Sequence, residues 1–172
     1  YASSLARDGV YIDMGDHFTQ LIGMKEGKLV YVEEVPFGGE NFTGILEHAL
    51  GMQRDTAREL KTRYAPGKLS SDLKEKIEGL FFPKAAEYIR NIEDQLTQAL
   101  AVFPSQFYLF GGASNLPAVK GLFESLTCEK IPCIGELATT QLTPQKLDGF
   151  DKVAPTQDAS YSSLFFLITP KA

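Results

Sequence analysis

The sequence has no tryptophan, and its 172 residues include only two histidines, two cysteines and three methionines. Two cysteines, Cys128 and Cys133, cannot build the disulfide framework of a small secreted domain, and the expectation is two reduced thiols in a reducing compartment, with a disulfide across the short gap as the alternative. Basic residues are in deficit: 17 Lys and Arg against 22 Asp and Glu give a net charge of −5. That balance lacks the basic face of a nucleic-acid binder and the basic patches of a membrane-surface binder. No run approaches the roughly 18 to 20 apolar residues that span a bilayer. The opening Tyr1-Ala2-Ser3-Ser4 has neither a starting Met nor the order of a signal peptide. The expectation is therefore a cytosolic piece of a longer protein, with no nucleic-acid partner and no direct membrane insertion.

What is present is enough apolar residue, 44% of the chain, to bury one sizeable core or two small lobes. Val10-Tyr11-Ile12-Asp13-Met14 reads as a buried strand entering a turn. Thr19 to Met24 reads as a second strand, Glu26-Gly27-Lys28 as a hairpin turn, and Leu29 to Val35 as a third strand stopped by Pro36. Phe42, Ile45, Leu46 and Leu50 form one helical stripe behind the close-approach turn Gly38-Gly39. Ala57, Leu60 and Tyr64 form another, ended by Pro66-Gly67. A longer amphipathic helix runs from Ser70 or Ser71 to Leu100, with a kink or break expected at Pro83 because proline removes a backbone donor. Gln106 to Phe110 predicts a strand leading through Gly111-Gly112-Ala113-Ser114-Asn115 into a helix opened by Pro117. Ile131 to Ile134 predicts a short strand, Gly135 to Pro155 an irregular stretch, and Ala159 to Ile168 a closing helix.

Two glycine turns carry the candidate chemistry. In the first, Asp13 to Gln20, a strand–turn–strand with Gly15 and Thr19 directs backbone N–H groups into one concavity suited to phosphate oxygens. Asp13 at the strand end is a candidate ligand for a hydrated Mg²⁺. The second turn, Gly111 to Ser114, lies at the carboxyl end of a strand, where α/β sheets receive ligands. Taken separately, a D-x-G turn also reads as a plain hairpin, and a strand-Gly-Gly-helix junction as ordinary packing. A metal set of Asp13, Asp16, His17 and His48 is a further alternative, without a convincing fourth ligand.

The order of these features resembles the bacterial actin-like family that contains FtsA and PilM. Its second phosphate loop is matched by Val10–Thr19, and its P-x-G-G-x-x-x-T motif by Pro36 to Thr43. Its A-x-x-[IL]-K helix is matched by Ala57-Arg58-Glu59-Leu60-Lys61, and its adenosine motif by Leu109 to Pro117. Ala159 to Ser163 stands where the last helix of the family falls. Against actin's own loop, D-S-G-D-G-V-T-H, Asp13, Gly15, Asp16 and Thr19 agree. His17 stands in place of a glycine, and Gln20 in place of a histidine.

The resemblance implies an α/β, actin-like (ribonuclease H-like) ATPase domain, of which this chain is the second lobe, the first lobe lying outside it. Residues 1–40 and 104–172 are expected to form a sheet subdomain, and residues 41–103 a mainly helical one. ATP and Mg²⁺ are the implied cofactors. Asp13 is expected to hold the metal, and Gln20 to orient the attacking water. Gly15, Asp16, His17 and Thr19 are expected at the phosphates, Glu59 and Lys61 at the ribose and base, and Gly111, Gly112, Ala113 and Ser114 along the nucleotide. The implied role is an ATP-switched scaffold at the cytoplasmic face of the inner membrane, in cell division or type IV pilus assembly. The compact spacing from Lys61 to Gln106 favours a PilM-like or divergent member. Implied partners are the missing lobe, further copies of the protein, and inner-membrane division or pilus proteins. The alternative is an actin-like module without nucleotide that serves only as an interaction platform.

Overall fold

The computed structural model describes residues 7–99, 102–124 and 131–143. Strands β1 (Gly9–Met14), β2 (Thr19–Lys25) and β3 (Lys28–Val35) form an antiparallel meander. The β2–β3 turn is closed by Glu26 and Gly27, both at positive φ, where an L side chain is disfavoured and glycine is not. Helices α1 (Gly39–Leu50), α2 (Arg54–Tyr64) and α3 (Ser71–Gln98) follow, then β4 (Phe103–Phe110). A single 3-10 turn (Gly112–Asn115), helix α4 (Pro117–Phe123) and β5 (Cys133–Gln141) complete the described chain.

The five strands form one sheet in the order β3-β2-β1-β4-β5. β4 pairs parallel to both β1 and β5, so the strand ends carrying the two glycine turns lie side by side. Period-two alternation divides the sheet residues between two buried clusters. Val10, Ile12 and Met14 of β1, Leu21 of β2 and Phe107 and Leu109 of β4 face one way. They pack with Phe42 and Leu46 of α1, seven residues of α3 from Ile77 to Leu96, and Val119 and Phe123 of α4. Tyr11, Ile22, Met24, Tyr108 and Phe110 make a second cluster with Leu142.

Three expectations change. Of the kink or break expected at Pro83, the break does not occur, and helix α3 continues through it. Phe81 before the proline and Ala85 and Tyr88 after it are fully buried in one core, and that packing outweighs one missing helical hydrogen bond. The strand expected at Ile131 to Ile134 is β5, which runs to Gln141 through the stretch expected to be irregular. Cys133 is disulfide-bonded rather than a reduced thiol. The closing helix expected at Ala159 to Ile168 lies outside the described residues.

Candidate functional site: a cationic cleft between two glycine turns

The first turn is drawn tight by a hydrogen bond from the Gly15 amide to the Phe18 carbonyl (3.0 Å). The start of α1 docks onto it: the Gly39 amide donates to the Gly15 carbonyl (3.0 Å) and the Glu40 amide to the Asp16 carbonyl (2.7 Å). This approach requires Gly38, because a Cβ there would lie 2.5 Å from the Asp16 carbonyl oxygen. The second turn is locked against the end of β1. Gly111 has φ +85°, and a Cβ on it would meet Asp13 Oδ1 and the Met14 carbonyl oxygen at 2.6 Å each. Any side chain at Gly111 would push the two turns apart.

Lys61 of α2 joins the walls. Its Nζ donates to the Gly39 carbonyl (2.8 Å) and stands 3.6 Å from Asp16 Oδ1. Burial lowers the affinity of this ammonium for its proton, and the carboxylates of Asp16 and Glu40 partly restore it; the net shift is below the ordinary lysine value. Glu40 is held by Arg54 and Arg58 behind α1.

Gly15, Asp16, Gly39, Lys61, Gly112 and Ala113 line one cleft of about 940 Å³. Its other lining residues include Arg63, Lys68 and Lys120, so that among the described residues the cleft has four cationic side chains and one carboxylate, Asp16. In a chain of net charge −5, this is a local inversion of sign suited to a polyanion. The cleft also contains Thr62, Asn115 and Gln141.

Several expected site residues stand elsewhere. Thr19 is fully buried and does not line the cleft; its Oγ1 donates to the Phe37 carbonyl (2.9 Å) and meets the Tyr88 hydroxyl. Gln20 is exposed on β2, and Glu59 is exposed on α2, both outside the cleft lining. His17 is 69% exposed and turns to a separate groove beside Phe18 and His48. Asp13 lies at the end of β1 against Gly111, and Asp16 is the carboxylate that opens on the cleft. Gly111 and Ser114 form the back of the second turn, with Ser114 Oγ donating to the Gly111 carbonyl (2.8 Å). The alternative metal set is not assembled: among the described residues no group of three or more His, Cys, Asp or Glu side chains is placed to hold a metal.

Asn115 belongs to the second glycine turn, whereas Arg63, Lys68, Lys120 and Gln141 were not among the residues expected at the site. Arg63 and Lys68 carried a faint signal, since they flank Pro66-Gly67 just beyond the Lys61 helix. Lys120 and Gln141 carried none.

A five-stranded sheet in this order, with glycine turns on adjacent strand ends and a cleft between them, is the fold of an actin-like ATPase domain. The PilM component of a PilM–PilN type IV pilus biogenesis complex superposes on 96% of this chain and 46% of its own, with a TM-score of 0.64 at 16% identity. An archaeal actin homologue covers 82% of this chain and 45% of its own, with a TM-score of 0.53 at 18% identity. The family described as "Cell division protein FtsA" matches residues 10–163, and the chain belongs to that family. The cell division protein FtsA of Staphylococcus epidermidis is 24% identical over 148 residues, covering 70% of this chain and 30% of the relative. The chain thus spans less than a third of the length of that curated relative.

Proposed function

We propose that this chain is the nucleotide-facing second lobe of an FtsA/PilM-like protein, which works as an ATP-switched scaffold. In this reading the phosphates lie against Gly15, Asp16 and Gly39 with Lys61 as their cation, and the nucleoside runs along Gly112 to Asn115. The observation that carries the reading is the convergence of both glycine turns and Lys61 on one cationic cleft. The donor set fits a polyphosphate, because ammonium and guanidinium groups supply charge-assisted hydrogen bonds. A hydrated Mg²⁺ would sit by Asp16, with Asp13 behind it, and would neutralise phosphate charge. Gln20 lies outside the cleft and takes no part in this reading, which concerns binding and lobe closure rather than hydrolysis. The proposed setting is the cytoplasmic face of the inner membrane, in division or pilus assembly. The proposed partners are the other lobe, further copies, and inner-membrane proteins of those systems. Among the described residues no helix is long and apolar enough to cross a membrane.

The test is a titration of the full-length protein with a fluorescent ATP analogue and Mg²⁺, comparing wild type with Lys61→Ala and Gly112→Trp. Removing a cation that bonds phosphate is expected to weaken binding by roughly 10- to 100-fold. Gly112→Trp is expected to abolish it by filling the cleft. Absence of saturable binding by wild type at millimolar nucleotide would sink the switch and leave the nucleotide-free interaction platform.

A further inference from the structure

The cleft wall formed by Gly112 to Asn115 is a single 3-10 turn with two backbone hydrogen bonds of its own, from the Ser114 amide to the Gly111 carbonyl and from the Leu116 amide to the Ala113 carbonyl (3.2 Å each). It is also held from outside. Gln141, the last residue of β5, reaches across and uses one nitrogen, Nε2, for the Ser114 carbonyl (3.1 Å), the Asn115 Oδ1 (3.1 Å) and, at 3.4 Å, the Ser114 Oγ. The strand that carries it is well fixed. The Leu142 amide donates to the Leu109 carbonyl (2.7 Å), and Gln106 Nε2 stitches β4 to the Ala138 carbonyl (3.1 Å). Thr139 Oγ1 ties the same strand to the Phe123 carbonyl of α4 (3.2 Å). Ser114 passes the constraint inward, because its Oγ bonds the carbonyl of Gly111, the residue locked against Asp13 and Met14.

From this chain of contacts we infer that Gln141 is a positioning residue for the nucleotide cleft. It clamps the Gly112–Asn115 wall to the rigid β4–β5 pair, so that the two glycine turns keep their spacing. A carboxamide suits the task, because one Nε2 carries two N–H donors and the three acceptors all lie within 3.4 Å of it. Gln141 itself borders the cleft, so a change in its donor reaches the ligand wall without disturbing the core. A site built on strands in this way is better defined than one left on a free loop. The ligand arm rests on the nucleotide reading above; the clamp itself does not.

Two variants separate the donor from the shape. Gln141→Met keeps the length and volume and removes the donor, whereas Gln141→Lys keeps a donor on a longer stem. Hydrogen exchange on the ligand-free full chain reads the clamp, and the ATP-analogue titration reads its consequence. The amides of Gly112 to Leu116 are expected to exchange roughly tenfold faster in Gln141→Met, from the loss of two net hydrogen bonds. Nucleotide affinity should fall by a similar factor, with Gln141→Lys within about threefold of wild type on both readouts. Wild-type exchange in Gln141→Met would overturn the clamp. Equal acceleration in the Met and Lys variants would overturn it too, since shape rather than the donor would then matter. Faster exchange with unchanged nucleotide affinity would overturn the positioning role. A wild-type protein that binds no nucleotide would refute the proposed function, while the exchange measurement would still decide the clamp.

Discussion

Thr19 offers the sharpest test of how this loop works, because residue type and structure assign it opposite duties. As a hydroxyl in a D-x-G-x-x-x-T loop, it is expected to face a phosphate. In the structure it is fully buried, donates to the Phe37 carbonyl, and shares a hydrogen bond with the hydroxyl of Tyr88. The Tyr88 ring is stacked on Phe37 with centroids 4.4 Å apart, so its hydroxyl has little freedom to find another partner. Thr19→Val preserves shape and removes only the hydroxyl. It strands two buried polar groups, at about 1–3 kcal/mol for each one left unsatisfied, so the expected loss is about 2–6 kcal/mol. Thr19→Ser keeps both bonds and loses one methyl, at about 1 kcal/mol. Urea denaturation followed by far-UV circular dichroism measures both, and a double-mutant cycle with Tyr88→Phe isolates the shared bond. A Thr19→Val protein within about 0.5 kcal/mol of wild type but unable to bind nucleotide would refute the reasoning.

The other expected outcomes draw on the same structure. Gly111→Ala places a Cβ 2.6 Å from the Met14 carbonyl oxygen at a φ of +85°, and should cost about 3 kcal/mol or more in the same urea experiment. Burial first, then neighbouring Tyr108, pushes the Tyr11 hydroxyl up to about 12; burial first, then Glu78, does the same for Tyr64. Because the folded state disfavours both phenolates, stability should be flat below pH ~10 and fall as pH rises from ~10 towards ~12. Absorbance at 295 nm should show both tyrosines ionising late, and Tyr11→Phe should reduce the alkaline loss. Burial raises the Glu40 carboxyl, but Arg58 and Arg54 together more than offset it, leaving a net shift below the usual carboxylate range. Its stabilising contribution is therefore complete above pH ~4.3 and lost as pH falls through the depressed value, and Glu40→Gln should flatten that part of the acid-unfolding profile.

The meander was the legible part of the fold. β1 is a continuous apolar run buried on both faces, Pro36 stops β3, and Gly27 takes one of the two positive φ values of the Glu26-Gly27 turn. β5 was legible only at its start, because this strand, outermost among the described residues, exposes Ile134, Gly135 and Glu136 and has no buried face to impose a pattern. At Pro83 the break does not occur, because local propensity counts one lost bond, while Phe81, Ala85 and Tyr88 on either side of it are fully buried in one core.

For the site, strand parity was the signal left unread. Leu21 faces the helices, so Thr19, two residues earlier on the same strand, faces them too and meets Tyr88 of α3. Gln20 follows Ile22 to the opposite face, and Asp13 stands between Ile12 and Met14, whose side chains face the helices, and so turns to the side of Tyr11. Period two thus takes Thr19 and Gln20 away from the cleft and places Asp13 behind the turn. What remains on the cleft is Gly15 and Asp16, the part of the loop past the end of β1, where alternation no longer dictates direction. The cations opposite them come from α2, α4 and the loop after α2, separated in sequence by up to 59 positions between Lys61 and Lys120. No window of sequence contains that arrangement. It exists because β4 is parallel to β1, which brings the second turn beside the first and carries α4 with it.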